Sequence, residues 1–243
     1  MQHLLRRKIN YIIIALMVFP TLAFSQLRGQ LNQEQFDNED YHFGINVGFN
    51  QSHFNFALHP NFLHQDSIAD IESLNSTGIN LAWLVNVHLG DHFDFRTFPL
   101  DLTFSQRTFQ YTLTHPIQYE EDSITAEDVQ SITLSVPMQI KFTSDRIDNL
   151  EVYTIGGIRF DYDMAASASS DKNADAAIKL QKFNFSLEGG LGFHLFFEYF
   201  VLSPELKVGW GLSNLHNYDP TNKYSSSIDQ IHSRMISFSL TIE

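Results

Sequence analysis

The chain of 243 residues contains no cysteine. Disulfide bridges, thiol nucleophiles and thiolate metal sites are therefore excluded together. Basic residues are also scarce, with 15 lysines and arginines against 28 aspartates and glutamates, and this balance argues against nucleic acid as a partner. Beyond the first 25 residues no apolar run reaches the eighteen residues that a membrane helix needs. Any membrane crossing must therefore be made by strands.

The N-terminus has the composition of an export leader. Three basic residues at positions 6–8 precede an apolar run over residues 9–24, and small residues lie just ahead of a predicted cut before Gln26. The next fifteen residues are polar and predict a flexible arm. We therefore expect a signal peptide over residues 1–25, a periplasmic arm over residues 26–40 and one barrel domain over residues 41–243.

The rest of the sequence is dominated by alternation. Eight stretches of roughly ten residues alternate apolar with polar or small side chains, which is the pattern of a transmembrane β-barrel. In residues 78–89, Ile79, Leu81 and Trp83 fall on one face while Asn80 and Ala82 fall on the other. The loops between the stretches alternate long and short. The sequence therefore predicts an all-β fold, an eight-stranded antiparallel up-and-down barrel in the outer membrane of a Gram-negative bacterium, with both termini periplasmic.

Several irregularities interrupt this alternation. The phase of the third strand slips by one residue around residues 106–108, which predicts a bulge or the end of the membrane band. Pro99, Pro137 and Pro204 lie inside predicted strands and cannot donate to a ladder, so we expect local bulges there as well. Aromatic residues near strand ends, Tyr153 among them, predict interfacial girdles. Long loops are predicted over residues 57–77, 112–130, 165–181 and 213–233.

The predicted inward faces collect charged side chains, while the outward faces have none. A charge that faces lipid costs about 2 to 4 kcal/mol at mid-membrane, so a barrel is expected to separate its residues in this way. Because an eight-stranded barrel is just wide enough for side chains to fill, we expect these charges to plug the lumen as a paired network. An ion or proton relay and an active site are the alternatives. The predicted network is Asp101, Arg107, Lys141, Arg159, Asp161, Glu188, Glu205 and Lys207.

Candidates for catalysis and for metal binding are weak. His59, His64 and Asp66 share one polar loop, where such residues are usually solvated rather than bound to a metal. The inward-facing candidates for a serine, histidine and acid set are Ser186, His194 and Glu188. They lie on one strand and are spread along it, so they cannot converge on one point. We therefore expect no enzyme activity, no cofactor, no metal and no small-molecule substrate.

Five segments carry a resemblance to a known family. They are FRTFPLDLTF (residues 95–104), VPMQIKFTSDRIDN (136–149), YTIGGIRFDYDM (153–164), FVLSPELKVGWGLSNL (200–215) and IDQIHSRMISFSL (228–240). In these segments the chain resembles the PorT family of outer-membrane barrels. The resemblance implies a small, non-enzymatic barrel that the type IX secretion system requires to export adhesins, proteases and gliding-motility proteins.

The resemblance also implies partners, namely other secretion-system subunits in addition to outer-membrane lipid. It carries over one motif, Ser203, Pro204, Glu205, Leu206 and Lys207, in which the glutamate and the lysine are both predicted to face inward. Two other function classes stay open from the residues alone. These are a lipid-modifying barrel enzyme and a barrel that binds or conducts small molecules.

Overall fold

The computed structural model describes residues 31–36, 39–59, 68–74, 76–113, 124–164, 180–218 and 225–243. The predicted signal peptide lies outside the described residues. In the part of the chain that is described, no helix is long and apolar enough to cross a membrane. The strands are β1 (Tyr41–Leu58), β2 (Ile68–Leu74), β3 (Ser76–Gly90), β4 (Phe93–Leu113), β5 (Ile124–Thr143), β6 (Leu150–Asp163), β7 (Phe183–Phe196), β8 (Val201–Gly211) and β9 (Ile228–Ile242).

The strands close into a barrel because β4 is paired on both of its edges. It pairs with β3 on one side and with β5 on the other, and the remaining neighbours follow in the order β3-β1-β9-β8-β7-β6-β5. The short strand β2 pairs with the outer end of β4, beyond the part that β3 covers, so β2 and β3 together form one strand of the wall. The wall therefore has eight antiparallel strands, and the predicted all-β barrel is confirmed.

The strands extend further at one end than the apolar alternation does. β4 continues to Leu113 and β5 begins at Ile124, so the loop predicted over residues 112–130 is wrong in its bounds. The loop predicted over residues 57–77 likewise contains β2. A ladder continues while two strands stay in register, whereas the alternation ends where the wall leaves the hydrocarbon and both faces meet water. The pattern thus marks the membrane band and not the strand ends.

Exposure alternates along the strands as predicted. On β1, Phe49 is 65% exposed on the outer face, while Asn46 is fully buried on the inner one. On β3, Trp83 is exposed and its neighbours Leu84 and Ala82 are buried. The outward residues are mostly aliphatic and aromatic, and the inward residues are mostly Asn, Ser, Thr, Gly or charged. The outer face of the wall is therefore apolar and its inner face is polar.

A bulge at Pro99 breaks the regularity of β4. The pairing of β4 with β5 passes from Thr97 opposite Met138 to Asp101 opposite Ser135, so four steps on β4 match three on β5. The pairing of β4 with β3 shifts in the same region. One residue of β4 is thus left over, and the inward face changes from even-numbered to odd-numbered positions. The bulge predicted at Pro99 is confirmed.

Of the two alternatives predicted around residues 106–108, the bulge is not present, and the end of the membrane band stays a prediction. The pairing of β4 with β5 runs without a shift from Asp101 to Thr112. Before the bulge the buried side chains are Asp94, Arg96 and Phe98, and after it Asp101 is buried. The sequence reading took its phase from the residues that follow Pro99 and assigned no face to Asp94, Arg96 and Phe98.

The bulges predicted at Pro137 and Pro204 are not present. β5 pairs with β6 without a shift through Pro137, and β8 pairs with β9 without a shift through Pro204. Pro137 lies opposite the β4 bulge, where the ladder does not need its missing N–H, and its carbonyl accepts a hydrogen bond of 2.8 Å from Thr97 Oγ1. Pro204 faces the interval of the β7–β8 ladder between the pairs Gly192–Glu205 and Leu195–Leu202. Each proline thus occupies a gap in one ladder.

The connections differ between the two ends of the barrel. Residues 91–92, 144–149 and 197–200 form short turns at one end, which we call the short-turn end. The other connections are longer and define the long-loop end. The first residue of β1, Tyr41, pairs with Val87 close to a short turn. The last residue, Glu243, exchanges backbone hydrogen bonds of 2.9 and 3.0 Å with Val201. Both ends of the barrel wall therefore lie at the short-turn end.

Candidate functional site

The structure describes the side chains of seven of the eight charged residues that were predicted to face inward, and all seven line the lumen. The side chains of Arg159 and Lys207 are 12% and 10% exposed, and the other described residues of this set are at most 8% exposed. The side chain of Arg107 lies outside the described residues. The seven that line the lumen are Asp101, Lys141, Arg159, Asp161, Glu188, Glu205 and Lys207.

A central ion cluster, formed by Arg96, Tyr153, Glu205 and Lys207, fills the middle of the lumen. Glu205 accepts hydrogen bonds from Arg96 at 2.6 Å and from Tyr153 Oη at 2.9 Å, and its second oxygen lies 3.0 Å from Lys207 Nζ. Both cations also lie about 5.0 Å from the ring of Phe98. One carboxylate thus holds two cations, and the aromatic face supplies further attraction.

Two members of this cluster were not predicted as lumen residues. Arg96 is 1% exposed and lies on β4 before the bulge, in a stretch to which the sequence reading assigned no face. Tyr153 was predicted at an interfacial girdle, but it is 1% exposed inside the lumen. Its ring occupies the space that a Cβ at Gly192 would need. Counting by twos back from Asp161 along β6 places Tyr153 on the inward face, so the signal was in the sequence.

A second group of ion pairs, the long-loop cluster, lies toward the long-loop end. Arg159 binds Asp161 and Glu188, each at 2.8 Å. Gln139 donates to the other oxygen of Glu188 at 2.8 Å, and Ser135 donates to Asp161 at 2.6 Å. These bonds join the neighbouring strands β5, β6 and β7 on the inner face of the wall. Among the described residues, the ion pairs of Arg159, Asp161, Glu188, Glu205 and Lys207 thus form two clusters.

A chain of hydrogen bonds lies toward the short-turn end. Lys141 Nζ is 2.6 Å from Asp94, which is 2.7 Å from His88 Nδ1. On its other side Lys141 is 3.2 Å from His194 Nε2, and His194 Nδ1 is 2.7 Å from Ser203 Oγ. Because the lysine has no acceptor, it donates to Nε2, so the Nδ1 of a neutral His194 carries the hydrogen and donates to Ser203. Asp94, like Arg96, precedes Pro99 and was assigned no face from the sequence.

Two cavities flank the central ion cluster. One of about 60 Å³ opens toward the long-loop end beside Thr103, Ser135 and Asp161. The other, of about 50 Å³, lies toward the short-turn end beside Asp94 and Lys141. Each has room for only a few water molecules. The buried side chains of the central cluster lie between them in the strand order, so the described lumen is plugged.

The predicted separation of Ser186, Glu188 and His194 is confirmed. His194 binds Lys141 and Ser203, and Glu188 binds Arg159 and Gln139, so these three do not form a catalytic set. Among the residues described, no group of three or more histidines and acids is arranged to hold a metal ion. His59 is described, whereas His64 and Asp66 lie outside the described residues.

Sequence reasoning also missed a serine and histidine pair at the long-loop end. His216 Nε2 lies 2.9 Å from Ser225 Oγ, and His216 Nδ1 lies 3.4 Å from the carbonyl of Asp229. Burial lowers the pKa of His216 below its ordinary value, which favours the neutral ring. The distance suits a nucleophile and its base, but Ser225 is 2% and His216 4% exposed. The pair fastens the loop against β9.

The short-turn end carries a segment that was predicted to be flexible. Residues 31–36, here called the strap, lie across two turns of the barrel. Asn32 bonds to Asn149 at 2.9 Å and to the carbonyl of Phe196 at 3.0 Å, and Arg146 donates to the carbonyl of Asn32. The ring of Phe36 stacks on His42 with centroids 4.0 Å apart. This part of the arm is therefore fastened to the barrel.

The comparisons with known proteins agree with this architecture. The profile of the family described as outer membrane protein beta-barrel domain matches residues 24–217. No curated protein matches the chain. Three solved structures are similar, and their TM-scores are all below 0.5, so the assignment rests on the family profile and on the closed wall.

The three solved structures are of bacterial proteins, and one of them, OprG, is described as an outer membrane protein. Neisserial surface protein A is 9% identical, with 84% of this chain and 99% of that chain covered and a TM-score of 0.43. OprG from Pseudomonas aeruginosa is 12% identical, with 82% and 92% covered and a TM-score of 0.41. Ail of Yersinia pestis is 13% identical, with 84% and 98% covered and a TM-score of 0.35. With its profile match and its closed wall, the chain belongs to the outer membrane protein beta-barrel domain family.

Proposed function

We propose that this outer-membrane barrel is a non-enzymatic accessory or assembly component of the type IX secretion system. The observation that carries the proposal is the plugged lumen. A barrel whose interior is filled by paired charges offers no path to a substrate or a secreted chain. Its contribution to secretion is then made by contacts at its two ends, with other proteins and with lipid.

The segments that resemble the PorT family are also those that build the plug. Arg96 and Phe98 lie in FRTFPLDLTF, and Glu205 and Lys207 lie in FVLSPELKVGWGLSNL. Together with Tyr153 from a third segment, they meet in the central ion cluster. The segments that carry the resemblance thus contain the residues that plug the lumen. Both observations support an assembly role over a transport role.

The proposal places the short-turn end and both termini in the periplasm. Export leaders deliver barrels from the periplasmic side, and barrels of this kind have their short turns there. The long-loop end then faces the cell exterior. Contacts with secretion subunits are proposed for the periplasmic turns and for the acidic loops.

Deletion of the gene tests this function. The deletion strain should lose secretion of type IX cargo, surface adhesins and gliding, and a plasmid copy should restore all three. Entry of a large antibiotic controls for general damage to the outer membrane, because such damage would impair secretion indirectly. Secretion and gliding at wild-type levels in the deletion strain would refute the proposal.

The second candidate function is that of a lipid-modifying enzyme. The pair formed by Ser225 and His216 is the observation in its favour, because its spacing of 2.9 Å suits acyl transfer and it lies at the long-loop end. Burial of both side chains opposes this function, since no substrate reaches them as they stand. The test compares the composition of lipid A from three strains, which carry the wild-type protein, the Ser225→Ala variant or no copy of the gene. Identical lipid A in all three excludes the enzyme.

A further inference from the structure

We propose that the short-turn end of the barrel is a peptide-binding site, and that the strap is its resident, displaceable ligand. When the strap is displaced, the site binds a segment of a protein partner. That segment has a residue with an amide side chain and, four residues later, an aromatic residue, as Asn32 and Phe36 are in the strap. This inference rests on the proposed function, because it names the surface through which the barrel meets its partners. The strap site consists of His42, Arg146, Asn149, Phe196 and Glu198.

The site recognises backbone as well as side chains. The Arg146 guanidinium donates to the carbonyls of two successive strap residues, Asn32 and Gln33, the second at 3.4 Å. Asn149 accepts from the backbone N–H of Asn32 at 2.9 Å. Since these groups occur in any peptide, a foreign chain can satisfy them equally well.

Side-chain contacts supply the selectivity. The amide of Asn32 donates to the carbonyl of Phe196 at 3.0 Å, and that of Gln33 donates to the carbonyl of Glu198 at 3.3 Å. The chain then turns, with Gln33 at a φ of 55° and the N–H of Phe36 bonded back to the Gln33 carbonyl. This turn brings the ring of Phe36 onto His42, 5.5 Å from the ring of Phe196.

The site is built without the strap. Arg146 is held by Asn149 at 3.0 Å and by the carbonyl of Asp148 at 2.9 Å, and its guanidinium lies 3.6 Å from the centre of the Phe196 ring. Arginine is well suited to hold a peptide here, since its planar guanidinium can stack on an aromatic ring and donate hydrogen bonds from its edge at the same time. A site that keeps its shape when empty is ready for a second occupant.

The strap can leave without damage to the wall. On the barrel side its hydrogen bonds are made by side chains and single carbonyls of the turns. The strands that it crosses are paired with each other without it. Gln33 bonds to Glu198 in an exposed position, and the strap side chains are exposed or half-buried. The strap is tethered to β1 through residues 37–40, so it competes for the site at an effective concentration on the order of millimolar.

Distance measurement between spin labels tests the resident strap. The chain has no cysteine, so labels on Gln35→Cys and Glu198→Cys report on the strap and the turn without background. In the full chain in lipid discs we expect a narrow distance distribution. Arg146→Ala should broaden it, because loss of hydrogen bonds from a charged donor lowers occupancy by about 10- to 100-fold. Arg146→Lys should broaden it partly. An unchanged distribution in Arg146→Ala overturns the inference.

Binding in trans is tested with a free peptide of the strap sequence LNQEQF. It should bind a Phe36→Ala barrel, whose own strap is weakened, at least tenfold more tightly than the wild-type barrel, because the tethered strap competes. A peptide with phenylalanine replaced by alanine should bind at least tenfold more weakly. Adding Arg146→Ala to the barrel should remove binding, while the heat-dependent gel shift of a folded barrel should persist. No binding, or equal binding with Arg146→Ala, refutes the site.

Secretion separates a partner site from a merely structural strap. Arg146→Ala destroys the site and should reduce cargo secretion at least tenfold, whereas Phe36→Ala only frees the site and should leave secretion intact. Equal effects of the two variants overturn the inference. If deletion of the gene leaves secretion unchanged, the proposed function fails by itself. If deletion blocks secretion and Arg146→Ala does not, the function stands and only the peptide site fails.

Discussion

Replacement of Glu205 by glutamine should destabilise the barrel more than any single change at its surface. Glu205 is 1% exposed and holds Arg96 at 2.6 Å and Lys207 at 3.0 Å. Glutamine has nearly the same shape, so the change removes charge without opening a cavity. It leaves two buried cations uncompensated, and breaking a buried pair in this way costs about 3 to 5 kcal/mol. We expect the free energy of unfolding to fall by that amount.

The assay is guanidinium unfolding of the barrel in lipid vesicles, followed by tryptophan fluorescence. Trp83 and Trp210 are both about half exposed on the outer face, so they report loss of contact with lipid. Glu198→Gln, on an exposed turn, is the matched control and should change stability by less than about 0.5 kcal/mol. Adding Arg96→Met to Glu205→Gln should recover about 1 to 3 kcal/mol. A loss below about 1 kcal/mol for Glu205→Gln would refute the reasoning.

Three further outcomes are expected. Gly192→Ala should cost about 1 to 3 kcal/mol in the same unfolding assay, because its Cβ meets a tyrosine ring, whereas Gly156→Ala has open space; equal effects contradict this packing. Leu81→Arg should cost about 2 to 4 kcal/mol and Leu89→Arg, nearer the rim, about 0 to 1; a reversed order would show that the membrane band is misplaced. The loop at His216 should lose protection against hydrogen exchange as the pH falls below the ordinary histidine value of 6.5, because burial lowers its pKa and protonation favours the open loop; unchanged protection contradicts this.

Alternation alone predicted the barrel and the faces of most strands. Side-chain direction in a strand has a period of two, and lipid enforces it strictly, so residues such as Trp83, Glu188 and Lys207 could be assigned from the sequence. The alternation did not assign the inward residues that precede Pro99, where one extra residue enters the count. Pro99 marked the position, but a proline also occurs without a bulge, as Pro137 shows. Local sequence does not say which of these happens, because the partner strand decides it.

The strap could not be predicted for a different reason. Residues 26–40 are polar, and polarity without periodicity indicates a disordered arm. Apart from the ring of Phe36, the strap is fastened by hydrogen bonds to groups that are distant in sequence, such as Asn32 to Asn149. Such bonds leave no pattern in either segment. Only Phe36, an aromatic residue in a polar stretch, hinted at a contact.

The bulge at Pro99 connects the fold of the wall with the chemistry of the lumen. Arg96 and Asp101 are five positions apart, so on a straight strand they would face opposite sides, and one of them would face lipid. That exposure would cost about 2 to 4 kcal/mol at mid-membrane for the arginine, in addition to the lost partner of Glu205. The leftover residue turns both side chains inward, so β4 supplies a cation to the central ion cluster and an acid further along the lumen. A barrel with this set of charges therefore requires the bulge. Without it, a strand of the same length could turn either Arg96 or Asp101 into the lumen, but not both.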